Sequence, residues 1–556
     1  MPITDMPTIK ADLLIIGGGS AGTMAAIRAK ELNPDCSVVI FEKSDFTYSG
    51  SIPRGMDALN VVTVPGINSP EDFVASNRIY CDGICDDTKS YILGKRSYPL
   101  LEKLLRWGVY FPRKGGQLDI TTLHPKGKYT VSMIEPNLKP MMAQKALEAG
   151  CQVENRTMAV GLLKEGPTVA GALGVNIRTG ERILCLAKAV ILAAGGTARF
   201  GIPPSGSLHG TYDYPGNTGD GYLLGYRAGA SLTSMEFTMC FVLLKDLELP
   251  GMSMMIQKGA KILDATGKRL FENEEYNLSE ASRVQKSPVG PLRIRLSHLP
   301  EETIQEVEEL LFSCERPIIK RFLEGRGLDF RRNDLELSTS EIFLCGGHGL
   351  SGLVTDETAA TTVIGLYAAG DTGPVPRGYL PGAFVFGEIA AESALQFMKD
   401  RGEPGPEEAS LRGFTTRLDQ LQKQSAGTIT VRDFEYRTRR YINEYLTPPK
   451  NEYKLSLLLE SLHQSKKELY ERVRITNPRD LFVALEIENI IESAILSTVG
   501  SLERKESRWG FWHSRGDYPE RDDQNWAKHI DLVEDPHTRM PKVQFRQAKR
   551  MIGAEN

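Results

Sequence analysis

Three glycines near the amino terminus, Gly17, Gly19 and Gly22 of ADLLIIGGGSAG, stand at the G-x-G-x-x-G spacing. The first permits a tight turn, the second lets backbone approach a pyrophosphate, and the third lets a helix pack closely on the preceding strand. Ser20 and Ala21 open that helix, and its N-terminal amides face the phosphates. Glu42 closes the run SVVIFEK, where a carboxylate can accept hydrogen bonds from both ribose hydroxyls of an adenosine. A second set of residues suits an anion: His348 in CGGHGLSGLVTDE, Arg377 in GPVPRGYLPGAF, and two arginines between them and the glycines, Arg283 in SEASRVQ and Arg293 in GPLRIRL. Arginine offers a permanent planar charge that pairs bidentately with a carboxylate or sulfate, and histidine adds a donor that follows pH.

These residues need a scaffold. Strand, glycine turn, Ala-rich helix (TMAAIRAKEL) and β-branched strand follow one another, and this context gives the glycine spacing its weight. Two further apolar strands, in AKAVILAAGG and TTVIGLYAAGD, each stop at glycine and read as parts of one parallel sheet whose carboxyl ends face a ligand. YILGKRSYPLLEKLLRWGVYF has the apolar spacing of an amphipathic helix that Gly108 terminates. The pattern predicts an α/β chain. Residues 1–229 and 336–404 form a discontinuous Rossmann-like domain, 230–335 an inserted α+β capping domain, and 405–556 a helical C-terminal domain and tail.

Composition bounds the partners. With 556 residues, 41% apolar and 25% charged, the chain is an ordinary globular protein of two or three units, and a net charge of −4 argues against nucleic acid or an anionic membrane surface. The eight cysteines are too thinly spread for a disulfide scaffold, and only Cys81 and Cys85 are close in sequence, which argues against an internal cluster or metal site. The start MPITDMPTIKADLL lacks a signal-peptide pattern and no apolar run approaches a membrane span, so the chain reads as cytoplasmic.

Taken in order, ADLLIIGGGSAG, AKAVILAAGG, NTGDGY and TTVIGLYAAGD resemble the cofactor-binding segments of the fumarate reductase, succinate dehydrogenase, L-aspartate oxidase and adenylylsulfate reductase flavoprotein superfamily. ESRWGFWHSRGDYPERDDQNWAKH resembles its tail, while SGSIPRGMDALN and the PLR of GPLRIRL lean towards adenylylsulfate reductase. The resemblance implies FAD, with Glu42 at the adenosine ribose, Lys43 among the cofactor-binding residues, Ala194 and Gly195 near the adenine end, and Asp220 and Asp371 near the ribityl and pyrophosphate groups. Ser49, Ser51 and Ala383 complete the implied cofactor-binding set. Quinone-linked members attach FAD through a histidine in a Ser-His-Thr-like stretch; the corresponding Tyr48-Ser49-Gly50-Ser51 has none, so non-covalent FAD is expected.

The same resemblance gives His348 a substrate oxyanion, Arg377 a substrate carboxylate, and Arg293 or Arg283 the role of proton donor. His298 in LSHLP reads as a structural corner, and Trp512 and His513 as packing or partner-contact residues. One departure bears on substrate. Fumarate and succinate enzymes resemble one another in a His-Pro-Thr whose histidine helps hold a carboxylate, whereas this chain reads MEFTMCFVLLK with Phe241 at the matching place, which suggests a substrate with an aromatic or apolar part. The leading expectation is a flavin-dependent redox enzyme acting on a small anion in a hetero-oligomer, with a ferredoxin-like iron–sulfur subunit as electron partner. The alternatives are an L-aspartate-oxidase-like enzyme using oxygen directly and a non-catalytic flavin-binding scaffold.

Overall fold

The computed structural model describes residues 6–54, 59–118, 120–124, 128–131, 137–247, 252–271, 277–312, 317–405 and 407–551. The chain opens with β1 (Thr8–Ile16), α1 (Ser20–Leu32) and β2 (Val38–Glu42), and continues through α2 (Pro70–Tyr80) and α3 (Asp87–Arg106). After α3, Gly108 takes φ +85° and lets Val109 N–H return to the Leu104 carbonyl, as its place at the end of the amphipathic run predicts. Next come α4 (Leu138–Glu148), β3 (Gln152–Asn155) and the meander β4 (Thr157–Glu165), β5 (Thr168–Asn176) and β6 (Arg182–Leu192).

The middle of the chain contributes α5 (Asp220–Arg227), β7 (Leu232–Thr233), β8 (Val242–Leu244), β9 (Lys261–Leu263), β10 (Arg269–Leu270), α6 (Leu278–Gln285), β11 (Arg293–Arg295) and β12 (Leu335–Thr339). Then follow β13 (Gly352–Leu353), β14 (Leu366–Ala368) and the long α7 (Tyr379–Met398). The C-terminal part holds α8 (Val431–Leu446), α9 (Glu452–Glu471), α10 (Pro478–Glu503), β15 (Lys528–Glu534) and β16 (Pro541–Gln547).

The main sheet runs β3-β2-β1-β6-β5-β4, with β14 also on β6. The β3, β2, β1, β6 and β14 pairings are parallel, so the apolar strands of AKAVILAAGG and TTVIGLYAAGD do lie side by side, Ile191 facing Tyr367. Period-two alternation decides which side each residue serves. Leu13, Ile15, Val38, Ile40, Ala189 and Ile191 join the core under α1, α3 and α7. Leu14, Ile16, Val39, Phe41, Val190 and Leu192 join the core shared with α5, α9 and α10. A sheet covered on both faces needs strands apolar at every position, which is why these runs lack a polar face.

A separate antiparallel sheet, β8-β12-β11-β9-β10, gathers Val242, Ile262, Leu292, Ile294 and Leu337 into a core of its own. The tail departs from the helical reading given to residues 405–556. Lys528–Glu534 and Pro541–Gln547 form a hairpin that extends β13-β7 into the sheet β13-β7-β15-β16. Its alternation places Ile530 and Leu532 in the core, a short period-two signal easily lost beside long helices. The seven described cysteines are buried free thiols; Cys314 lies outside the described residues. Among the described residues, no helix is long and apolar enough to cross a membrane, and no three His, Cys, Asp or Glu side chains group as metal ligands would.

Candidate functional site

β1, β2, β6 and β14 all end on one edge; β2 ends at Glu42, and the others lead within a few residues to Gly17, to Ala194 and Gly195, and to Asp371. Gly17 takes φ +100°, and a Cβ there would stand 2.3 Å from the Ala193 carbonyl oxygen after β6. At Gly22 a Cβ would meet the Gly17 carbonyl at 1.9 Å, so the first turn of α1 lies directly on the glycine loop. Gly19 differs: the nearest atom to its Cβ position is the Gly50 Cα at 3.8 Å, which leaves backbone open beside the N-terminus of α1. Ser49 is buried and donates to the Gly18 carbonyl (3.1 Å), holding the 48–51 loop over the turn.

Glu42 is buried at the end of β2. Its Oε2 accepts Gly18 N–H at 2.7 Å and its Oε1 accepts Ser44 N–H at 2.6 Å and the Ser44 hydroxyl at 2.9 Å, which fixes the carboxylate and leaves Oε2 to accept a further hydroxyl. Lys43 and Asp220 turn to each other instead. Lys43 Nζ lies 2.6 Å from Asp220 Oδ2 and 2.9 Å from Glu486 Oε1, and Thr218 and Asn489 donate to Asp220 Oδ1. Burial works against the Asp220 charge, but Lys43 and these donors hold its carboxyl below the usual range. Arg199 extends the network to Glu486 and Glu435 at 2.7 and 2.8 Å. The structure therefore places Asp220 beside Lys43 with its oxygens engaged, in a buried lattice joining the end of β2 with α5, α8 and α10, while the next residue, Gly221, lies against Thr372.

Around β6 and β14 the backbone approaches closely. Gly195 takes φ +76° because Asn217 occupies the place of its Cβ, and the Gly195 carbonyl accepts Thr372 Oγ1 at 3.0 Å. A Cβ on Gly370 would meet those of Ala21 and Ala383 at 3.0 and 3.8 Å, so α1 and α7 present their N-terminal ends together at this point. Asp371 follows, half-buried. Burial, reinforced by the buried Asp213 carboxylate nearby, pushes the Asp371 carboxyl up to about 7.

His348 and Arg377 sit on two laced loops. Gly346 N–H donates to the Asp371 carbonyl (3.2 Å), Val375 N–H to the Gly346 carbonyl (3.0 Å) and Tyr379 N–H to the Gly347 carbonyl (3.1 Å). Arg377 and Tyr379 both take positive φ, +55° and +47°, a strained arrangement that the lacing sustains. Arg377 is 2% exposed. Its Nη1 donates to Ser76 Oγ at 2.9 Å and its guanidinium lies 4.7 Å above the Tyr80 ring, while Nε and Nη2 have no hydrogen-bond partner among the described residues. α2 also anchors the loop, Asn77 Nδ2 donating to the Pro376 carbonyl at 2.9 Å.

Rings surround His348. Tyr379, Phe241 and Tyr212 lie 4.9, 5.4 and 5.8 Å from its centroid; Nε2 is 3.4 Å from the Tyr212 hydroxyl and Nδ1 is 3.3 Å from Cys345 Sγ. The tail backs this wall. Trp512 is 1% exposed, 6.2 Å from Phe241, and donates Nε1–H to the Cys240 carbonyl; Trp509 stands 5.0 Å from it. His513 is buried against the Glu236 carbonyl, and burial drives its imidazole well below its usual pKa. These tail residues thus pack within the chain. His298 likewise meets a backbone carbonyl, that of Gly259.

The two capping arginines lie elsewhere. Arg283 is captured one helical turn away by Glu280 and stays largely exposed, and on β11 alternation turns Ile294 inward and Arg293 outward. Neither joins the His348–Arg377 cluster, although α6 itself touches it: Leu278 packs on the aromatic rings and Ser282 donates to the Cys240 carbonyl. The sequence reading did not single out Ser76, Tyr80, Tyr212 or Tyr379. Only Tyr379, two residues after Arg377, carried a local signal.

A parallel sheet with a glycine turn after its first strand, a buried carboxylate fixed at the end of the next and a buried arginine beyond its strand ends is the form of a dinucleotide-dependent oxidoreductase. The FAD binding domain family model matches residues 12–375, and the fumarate reductase flavoprotein C-terminal model matches residues 436–552. The chain belongs to this FAD-dependent oxidoreductase family, that of the fumarate reductase and succinate dehydrogenase flavoproteins.

An FAD-dependent oxidoreductase of Methanocaldococcus jannaschii is 27% identical, covering 94% of this chain and 96% of the relative. A fumarate reductase flavoprotein subunit of Mycobacterium tuberculosis is 25% identical, covering 94% of each. Adenylylsulfate reductase of Archaeoglobus fulgidus superposes with a TM-score of 0.87 at 22% identity over 99% of this chain and 98% of that one. Quinol fumarate reductase of E. coli gives 0.84 at 20% identity, covering 98% of each chain. These superpositions show a shared fold.

Proposed function

We propose that this chain is the FAD-carrying subunit of an oxidoreductase that acts on a small anion bound between Arg377 and His348 and exchanges electrons through a ferredoxin-like iron–sulfur partner in a hetero-oligomer. The observation that carries the site is the buried Arg377 guanidinium, with two nitrogens lacking a partner among the described residues. A buried charge without compensation is costly, and an anionic ligand is what offsets it. The partner rests on weaker support: the Mycobacterium tuberculosis relative is named as a flavoprotein subunit.

The residues fit FAD. Gly19 and the first turn of α1 would receive the pyrophosphate, Glu42 the adenosine ribose, the Ala194–Gly195 loop the adenine end, and Asp371 with the N-terminus of α7 the ribityl side. Tyr48-Ser49-Gly50-Ser51 offers no histidine for covalent attachment. Bound there, FAD supplies two-electron chemistry to a substrate on its ring. Arg377 fixes the substrate's charged end, His348 offers Nε2 to a substrate oxygen, and the aromatic collar limits water. For the proton we keep Arg283 and Arg293 as candidates, with α6, the bearer of Arg283, touching the cluster.

The test uses purified, flavin-loaded protein. Sulfite or a substrate acid should shift the flavin spectrum, and Arg377→Ala should keep FAD and fold while losing both that response and turnover. An Arg377→Ala protein with unchanged anion response and activity would remove the residue from the site. Oxygen uptake by the chain alone, at the rate seen with an added electron carrier, would replace the iron–sulfur partner with direct oxidase chemistry.

A further inference from the structure

We infer that the Arg377–His348 site selects a monoanion with a flat apolar or aryl body over a dicarboxylate. This narrows the substrate class of the function proposed above and rests on it. The first argument is charge. Other cations of the same corner are engaged elsewhere: Arg78 and Arg550 meet Asp87, Arg508 meets Glu506 and Asp523, and Arg54 donates to the Thr211 carbonyl. Arg377 makes no ion pair among the described residues, and with Nε and Nη2 both unpartnered there it is the cation left to take a ligand's charge. A second ligand carboxylate would meet the carboxyls of Asp371 and Asp213, which burial already holds towards their neutral forms and which offer a further negative charge no cation to pair with.

The second argument is shape. Beside Arg377, the side chains that remain partly accessible are Tyr80, His348 and Tyr379, all flat rings. Behind His348 stand Phe241, only 4% exposed, and Tyr212, which stacks on Phe343 at 5.6 Å and 18°. Phe241 is clasped by Tyr212 at 4.8 Å and Phe343 at 5.1 Å, and it presents no donor to a second anionic group. Rings of this kind gain from a planar apolar body laid against them and give nothing to a hydrated carboxylate.

The experiment titrates the flavin-loaded full chain with cinnamate, fumarate and cinnamyl alcohol, reading the flavin difference spectrum and the heat of binding. Cinnamate should bind at least about tenfold more tightly than either fumarate, which lacks the ring, or cinnamyl alcohol, which lacks the charge. Phe241→Leu, which keeps the core filled, should reduce the preference for cinnamate over fumarate. Phe241→His, which adds a donor, should reverse it. Fumarate binding as well as or better than cinnamate to the unaltered protein overturns the inference and leaves the proposed function standing. Equal binding of cinnamyl alcohol overturns the charge argument and the inference with it. Flavin-loaded protein that answers to no anion, sulfite included, refutes the proposed function itself.

Discussion

Replacing Arg377 by methionine separates what this residue costs the fold from what it does for the site. The side chain is 2% exposed, with Nη1 donating to both the Ser76 hydroxyl and its carbonyl, a ring beneath it and two nitrogens without partners among the described residues. Hydrogen bonds to a charged group return about 1.5–3 kcal/mol and a desolvated cation–π contact about 2 kcal/mol, against several kcal/mol for removing the charge from water. Methionine fills similar space without the charge, and both residues bear the same positive-φ strain. We therefore expect Arg377→Met to stabilise the flavin-free protein by roughly 1–3 kcal/mol, as replacement of poorly compensated buried charges by apolar side chains does elsewhere. The assay is paired thermal or urea unfolding of the flavin-free proteins, with an anion titration of the flavin-loaded ones. A variant that is destabilised by more than 1 kcal/mol and still binds anions would show that Arg377 is a structural arginine.

Further outcomes follow from other parts of the molecule. Gly22→Ala would place a methyl 1.9 Å from the Gly17 carbonyl, so α1 must retreat by more than an ångström; we expect about 1–3 kcal/mol lost and FAD largely absent after purification, read by flavin content and melting temperature. Asp371, raised to about 7 by burial and Asp213, keeps a proton in the folded flavin-free protein over a range in which the unfolded chain has released it. Stability should therefore fall as pH rises from about 4 to about 7, by the order of 2 kcal/mol, and Asp371→Asn should flatten that slope; a variant with the wild-type slope would contradict this assignment. Trp512→Ala removes a 1%-exposed ring from the cluster behind His348 and should cost about 3–5 kcal/mol while weakening anion binding more than FAD retention, measured by denaturation and flavin titration.

The features legible in the sequence were those in which chemistry and backbone are neighbours along the chain. Gly22 and Glu42 act through contacts within one strand-turn-helix-strand unit that spacing specifies, and Gly17 adds to its turn a close approach to Ala193 that spacing does not show. The apolar runs ending at Leu192 and Ala368 announce buried parallel strands because both their faces are covered. Asp220 was legible only in part: Asp-Gly after Asn-Thr-Gly marks a helix start, but two of the groups that hold its oxygens, Lys43 and Asn489, are remote in sequence. Arg377 depends likewise on Ser76, some three hundred positions away, and no local pattern connects them. Arg283 and Arg293 show the opposite limit, since similarity of a short motif does not say which way a side chain turns, and Glu280 and strand alternation decided that.

The ring of Trp512 behind Phe241 bears on how the protein is assembled. Residues 17–42 can close their turn early in synthesis, whereas the tryptophans that seal the rear of the His348 chamber emerge only after the C-terminal helices. The chamber's rear wall thus forms only once nearly the whole chain is made, whereas every residue assigned to the cofactor, as far as Ala383, precedes it in synthesis.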